Sequence, residues 1–235
     1  MKLDLHNHTW YSVDCVTSPK AFISRSKKQG VVLASTDHGN ANSWGVLERE
    51  AKRQDWMFIR GQEQRVYWGS SFAGEILGLF LNQPLKKSLV EEVLDEIHDQ
   101  GGLVAIPHPF DNRNPMASRK FQRLDDILPR VDLIEVFNAR IRLMERNDRA
   151  LEYALQHNKP FSVGSDAHLP WEISNCHLHV DGDSLEDARK NLVKNNGVRE
   201  VHTTGPVNLF AASVLRFPLF RRFLTRKREP PMGGK

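Results

Sequence analysis

Five of the ten histidines, His6, His8, His38, His108 and His168, gather with the carboxylates Asp14, Glu63 and Asp166 at or near the ends of short apolar runs. An isolated His-x-His or Asp-His pair is weak ground for a site, since either fits a surface strand or a helix cap. Here the pattern repeats at six successive runs, which end on His6-Asn7-His8, Asp37-His38, Glu63, Pro107-His108, Asn138, and Asp166 with His168. Carboxylates gathered in a protein interior repel one another unless cations compensate them, so bound metal is the economical reading. A mixed nitrogen and oxygen donor set suits borderline divalent ions such as Zn2+, Mn2+ or Fe2+. The eight candidate ligands exceed what one tetrahedral ion uses, which implies two or three ions, and Glu63 is the candidate to bridge ions ~3.5–4 Å apart. Three carboxylates leave such a cluster with surplus positive charge. An anionic substrate would neutralise it, and phosphate fits best.

For these residues to meet, the runs that carry them must be neighbouring strands pointing the same way. Apolar runs at 2–6, 31–36, 57–61, 74–81, 103–106, 133–137 and 161–163 alternate with helical patterns. Ser18-Pro19 supplies an N-cap and a proline at the first helical position, opening a helix that Gly30 closes. Residues 44–54 read as helical. Ser88 and Glu91 make a capping box ahead of Leu89, Val93 and Ile97, which share one helical face, and Gly101-Gly102 ends that helix. Further helices are expected at about 118–128 and 141–157, and Ser184 caps a last one that Asn196-Gly197 terminates. Strands alternating with helices imply a parallel sheet with helices outside, open or closed into a barrel. The C-terminal strand ends then lie on one face, where the polar residues converge.

The 235 residues, 40% hydrophobic and 26% charged, fit one globular domain. The net charge of +4 divides unevenly: residues 216–235 carry +6, leaving −2 on the first 215. The expected organisation is a barrel domain over 1–215 and a basic, partly disordered tail over 216–235. A body at −2 gives little reason to see a nucleic-acid surface. No apolar stretch reaches the ~20 residues of a membrane span, and Asp4, His6 and His8 occupy the place a signal peptide would need to be apolar. With only Cys15 and Cys176 there is no disulfide framework, which points to the cytoplasm.

Five motifs, Asp4-Leu5-His6-Asn7-His8-Thr9, Ser35-Thr36-Asp37-His38, Gly61-Gln62-Glu63, Ile106-Pro107-His108-Pro109 and Gly164-Ser165-Asp166-Ala167-His168, taken together and in this order, resemble the polymerase and histidinol phosphatase (PHP) superfamily of metal-dependent phosphoesterases. The resemblance covers residues 1–170 and implies a distorted (β/α)7 TIM-like barrel with its metal site at the C-terminal face of the strands. It implies that His6, His8, Glu63 and Asp166 hold a first ion, that Glu63 and His108 share a second, and that Asp14, His38 and His168 hold a third. Asn138 departs from the pattern, standing where trinuclear members often place a histidine. A neutral amide oxygen is a poorer ligand, so Asn138 enters as a weak one and the second ion as loosely held or hydrated. The implied reaction is hydrolysis of a phosphoester by a metal-activated hydroxide. Asp37, His168 or metal-bound water would protonate the leaving group, and Arg113 and Arg140 follow site-bearing strands and are placed to fork a phosphate.

The expected function is therefore hydrolysis of a small phosphorylated metabolite or nucleotide. Three readings compete with it. A 3′–5′ exonuclease is disfavoured by the charge of the body, though the cationic tail counts mildly for it. A non-catalytic barrel that binds nucleic acid or protein would not be expected to retain nearly every ligand position. A C–N hydrolase on a similar barrel lacks a lysine at a strand end that could bridge two ions as a carbamate. Cys176-His177-Leu178-His179 looks metal-like in isolation, but its spacing fits an ordinary strand.

Overall fold

The computed structural model describes residues 1–111 and 123–194, and the backbone of 198–201. Nine strands form one sheet, β1 (Lys2–Asn7), β2 (Val32–Ser35), β3 (Ile59–Trp68), β4 (Ser71–Leu79), β5 (Leu103–Ile106), β6 (Leu133–Asn138), β7 (Phe161–Gly164), β8 (Cys176–His179) and β9 (Val198–Val201), in the order β7-β6-β5-β4-β3-β2-β1-β8-β9. The sheet curls until the exit of β7 meets β1: Asp166 N donates to His6 O at 2.7 Å and His8 N to Ala167 O at 3.2 Å. The other half of the same β1 edge, at Lys2 and Leu3, pairs antiparallel with β8. The result is a nearly closed, distorted TIM-like barrel.

Among β1 to β7, one strand breaks the expected parallel pattern. β4 runs antiparallel to both β3 and β5, while β1, β2, β3, β5, β6 and β7 are parallel. The cause is local: β3 continues past residue 61 as far as Trp68 and returns through Gly69 (φ 58°) as a hairpin, leaving no room for a crossover helix. Glu63 consequently lies inside β3 and not beyond its end.

Helices α1 (Pro19–Gln29), α2 (Trp44–Gln54), α3 (Val90–His98), α4 (Leu124–Ile127), α5 (Met144–Gln156) and α6 (Leu185–Leu192) cover the outside. Ser18 caps α1 by accepting from Ala21 N, and Gly30 ends it at φ 65°. Ser184 caps α6 through Asp187 N. The capping box expected at Ser88 does not form. Leu89 occupies the N-cap with no side-chain bond, and Ser88 gives its carbonyl to Tyr67 N of β3 instead. Strand pairing wins the backbone that the box required. Alternation along β1 turns Leu3 and Leu5 into the apolar core and leaves Asp4, His6 and His8 on the opposite face; all five are fully buried. Cys176–His179 is strand β8, as its spacing suggests. The proposed boundary at 215, the tail, and Arg113 lie outside the described residues. Among those described, no helix is long and apolar enough to cross a membrane.

Candidate metal centre

The eight residues singled out by their positions meet at the barrel mouth. On β1, His6 presents Nδ1 to Glu135 Oε1 at 3.0 Å. That turns its Nε2 toward His8 Nε2 at 3.2 Å, Glu63 Oε2 at 3.5 Å and Asp166 Oδ1 at 3.8 Å. His8 is held the same way, with Nδ1 at 3.2 Å from Ser12 Oγ, and its Nε2 reaches Asp166 Oδ1 at 3.2 Å and Glu63 Oε2 at 3.6 Å. An outer partner on one ring nitrogen that aims the other inward is how metal-binding imidazoles are oriented. His38, following β2, lies 2.7 Å from Glu63 Oε2 and 3.5 Å from Asp14 Oδ1, with its ring stacked on His8. His168, following β7, reaches the same Asp14 oxygen at 3.3 Å. His108, following β5, stands 3.4 Å from Glu63 Oε1.

His108 (φ 32°) and Asp166 (φ 49°) adopt left-handed backbone conformations that cost energy for residues with a Cβ and persist only where the surroundings fix them. His108 N is anchored by Glu135 Oε2 at 2.6 Å, and Asp166 N by His6 O. Glu135, in the middle of β6 and 1% exposed, thus orients the ring of His6 and the backbone of His108 at once. Gly164 makes space for it, because a Cβ there would lie 2.2 Å from Glu135 Oε1 and 2.3 Å from His6 Cβ. Asp4 ties the β7 exit down from below, accepting from Ser165 N at 2.9 Å and Ser174 N at 3.2 Å, and burial pushes its carboxyl up to about 7.

Several expectations change on this geometry. Asp37 spends both oxygens on Thr9 N, Thr9 Oγ1 and Ser12 Oγ, all within 2.8 Å, so it fastens the loop carrying Ser12 and has no oxygen left facing a leaving group. Asn138 does not offer its oxygen as a ligand. That oxygen accepts from Arg140 N at 3.0 Å, and Nδ2 is turned toward Glu135 Oε2 at 3.1 Å and Asp166 Oδ2 at 3.4 Å. Arg140 lies against the site with NH1 3.3 Å from Glu172 Oε2 and Nε 3.9 Å from Asp166 Oδ2. Two further carboxylates of the mouth stand within strands, where a search of strand ends does not find them. Glu135 sits inside β6, and its signal in the sequence is a lone acid in the apolar run Leu133–Asn138. Glu75 lies on the reversed β4, with its carboxylate grouped with that of Glu63 and the ring of His108.

The charges are strongly interdependent. Burial works against protonation of His6, yet Glu135, Asp166 and Glu63 hold it well above the usual histidine range; Glu63 and Asp14 do the same for His38. His8 is pushed down to about 3 by burial, reinforced by His38 and His168. Burial opposes ionisation of Glu63, but the His38 and His6 rings hold it well below the usual carboxylate range. A divalent cation suits this donor set. Glu63 Oε2 is buried and accepts no hydrogen bond although the rings of His6, His8 and His38 surround it, and the inward nitrogens of His6 and His8 face each other at 3.2 Å. Groups of three among His6, His8, His38, Glu63, Glu75, His108, Glu135 and His168 bring ligand atoms within 4.8 Å of one another. The thiols of Cys15 and Cys176 are pushed well up by burial and take no part.

Residues 144–195 match the family described as PHP-associated. An uncharacterized protein of Methanocaldococcus jannaschii is 32% identical over 221 residues, covering 83% of this chain and 86% of the relative. A two-domain protein of Bacteroides vulgatus containing a predicted PHP-like metal-dependent phosphoesterase superposes with a TM-score of 0.69 at 17% identity, over 91% of this chain and 69% of that one. An amidohydrolase from Chromobacterium violaceum superposes with a TM-score of 0.57 at 17% identity, over 91% and 96%.

Proposed function

The chain belongs to the PHP superfamily of metal-dependent phosphoesterases, and from that premise we propose that it hydrolyses the phosphoester of a small phosphorylated metabolite or nucleotide. The observation that carries this reading is Glu63, a buried carboxylate with imidazoles on both oxygens: His6, His8 and His38 around Oε2 and His108 beside Oε1. One oxygen turned to each half of the mouth is the arrangement of a carboxylate shared between ions. In this reading His6, His8, Glu63 and Asp166 hold one ion, Glu63 and His108 take part in a second, and Asp14, His38 and His168 hold a third. Ions bound there would generate a nucleophile from water at neutral pH and offset the charge that builds on a phosphoryl group.

The chain's own groups supply the rest. Glu135 and Ser12 fix the imidazoles of His6 on β1 and of His8 just after it, so no reorientation is needed as substrate arrives. His168, whose Nδ1 lies 2.7 Å from the Asp166 carbonyl, keeps Nε2 toward the mouth as a ligand for the third ion, so that ring has no proton to give the leaving group, which water at the site would protonate instead. Arg140, braced by Glu172, is proposed to bind a phosphoryl oxygen, and Arg113 is proposed for the same part. The body charge of −2 favours a small substrate over a nucleic acid.

The test is an ester panel on Mn2+-loaded protein: p-nitrophenyl phosphate, its bis-ester, nucleotides and a short single-stranded DNA, with His8→Ala in parallel. The proposal expects His8-dependent phosphate release from a monoester or small diester. Turnover of DNA above all small esters would move the reading to an exonuclease. Turnover of none, by metal-loaded protein, would refute it.

A further inference from the structure

Within the β3/β4 hairpin Glu63 lies opposite Leu77, and Arg65 opposite Glu75. Opposed residues of an antiparallel pair share a face, as do residues two apart on one strand, so Glu75 shares the inward face of Glu63, one diagonal step away. Leu77 in turn pairs with Ala105 of β5, the strand that His108 follows. The side chains bear this out. Carboxylate oxygens of Glu63 and Glu75 and a ring nitrogen of His108 all lie within 4.8 Å of one another, and Glu63 Oε1 is 3.4 Å from His108 Nε2. Glu63, Glu75 and His108 are 2%, 9% and 7% exposed. Two carboxylates at that depth repel in the absence of a cation. Arg65 Nε lies 3.6 Å from Glu75 Oε1 on a side chain that is 72% exposed.

The neighbouring slot at the end of β6 contributes no ligand atom, since the Asn138 oxygen is taken by Arg140 N and its amide nitrogen faces carboxylates. We propose that Glu63, Glu75 and His108 form a divalent-cation site in which Glu75 supplies the ligand that Asn138 does not. Two carboxylates and one imidazole make a harder donor set than the histidine-rich remainder of the mouth, so this position selects Zn2+ over Mn2+ or Fe2+ less strongly than the remainder does. The inference rests on the metal-centre reading above and deepens it, and its test reads bound metal without reference to turnover.

The experiment is equilibrium dialysis against Mn2+ alone, followed by elemental analysis, on the parent chain, Glu75→Gln, Glu75→Asp and Asn138→Ala, each checked for folding by circular dichroism. Glu75→Gln is expected to hold one ion fewer per chain, or to hold that ion at least about tenfold more weakly, the lower end of what losing even an outer partner of a ligand costs. Glu75→Asp and Asn138→Ala are expected to keep it. Parent-like Mn2+ content and affinity in Glu75→Gln would overturn the proposal, as would loss of an ion in Asn138→Ala alone. If Glu75→Gln does not fold, Glu75→His decides: retained stoichiometry with preference shifted toward Zn2+ supports a ligand role, and an unshifted preference overturns it. Full, Glu75-dependent loading of a chain inert toward every ester would leave this proposal standing and refute phosphoester hydrolysis.

Discussion

On the side of the mouth formed by β1, β2 and β7, imidazoles predominate: His6, His8, His38 and His168 surround Asp14 and Asp166. On the side formed by β3 to β6, carboxylates do: Glu63, Glu75 and Glu135 meet the single ring of His108. The first side is built at the C-terminal ends of parallel strands. The second contains β4, reversed between β3 and β5, which enters the mouth with its beginning, and two strands, β3 and β6, whose carboxylates lie in their interiors. Strand direction therefore explains why Glu75 enters from the beginning of its strand, while Glu63 and Glu135 enter from inside parallel strands. Glu63 joins the two sides.

Removing that junction should have the largest effect. Glu63→Gln is expected to lower kcat/KM on the best ester by on the order of 10³-fold, the upper end for loss of one charge-stabilising group, and to reduce metal content on both sides. Loss confined to one side would break the comparison. Glu135→Gln comes next, because it disturbs His6 and the His108 backbone together. Metal affinity should fall about 10–100-fold, read by calorimetric titration, while the fold is retained.

A pH titration sharpens the same contrast. In the metal-free chain His6 and His38 hold protons well above the usual histidine range because of their carboxylate neighbours, and metal must displace them. Apparent affinity should therefore rise with pH through neutrality, with protons released on loading in weakly buffered solution, until both rings are already deprotonated. Affinity that does not change with pH over that range would contradict this charge assignment. A fourth test is steric. Gly164→Ala drives a Cβ against Glu135 and His6 and should cost about 1–3 kcal/mol in thermal unfolding, together with weaker metal binding. The smallest effect is expected far from the mouth: Ser18→Ala removes the α1 cap at about 1 kcal/mol and leaves metal content unchanged.

The legibility of the sequence divides along the same line. His6, His8, His38, His108, Asp166 and His168 could be found because each stands at the end of an apolar run in a parallel strand. The extent of β3 was not legible, since residues 62–68 mix polar and apolar side chains and are made extended by pairing with β4, a long-range choice that local pattern does not encode. Glu75 was hidden for that reason. Glu135 was hidden because a buried acid inside a strand has meaning only once its partners, His6 and His108, are known. Asn138 was found, yet its role reversed: the backbone N–H of Arg140 claims the oxygen that a ligand would need.

The central claim, that the mouth is a metal cluster organised by Glu63, is most directly tested by anomalous diffraction from Mn2+-loaded crystals collected on both sides of the manganese edge. The account predicts two or three manganese peaks at the mouth, with Glu63 bound to more than one of them. Full Mn2+ exposure that leaves no peak at Glu63, His6 or His8 would contradict it.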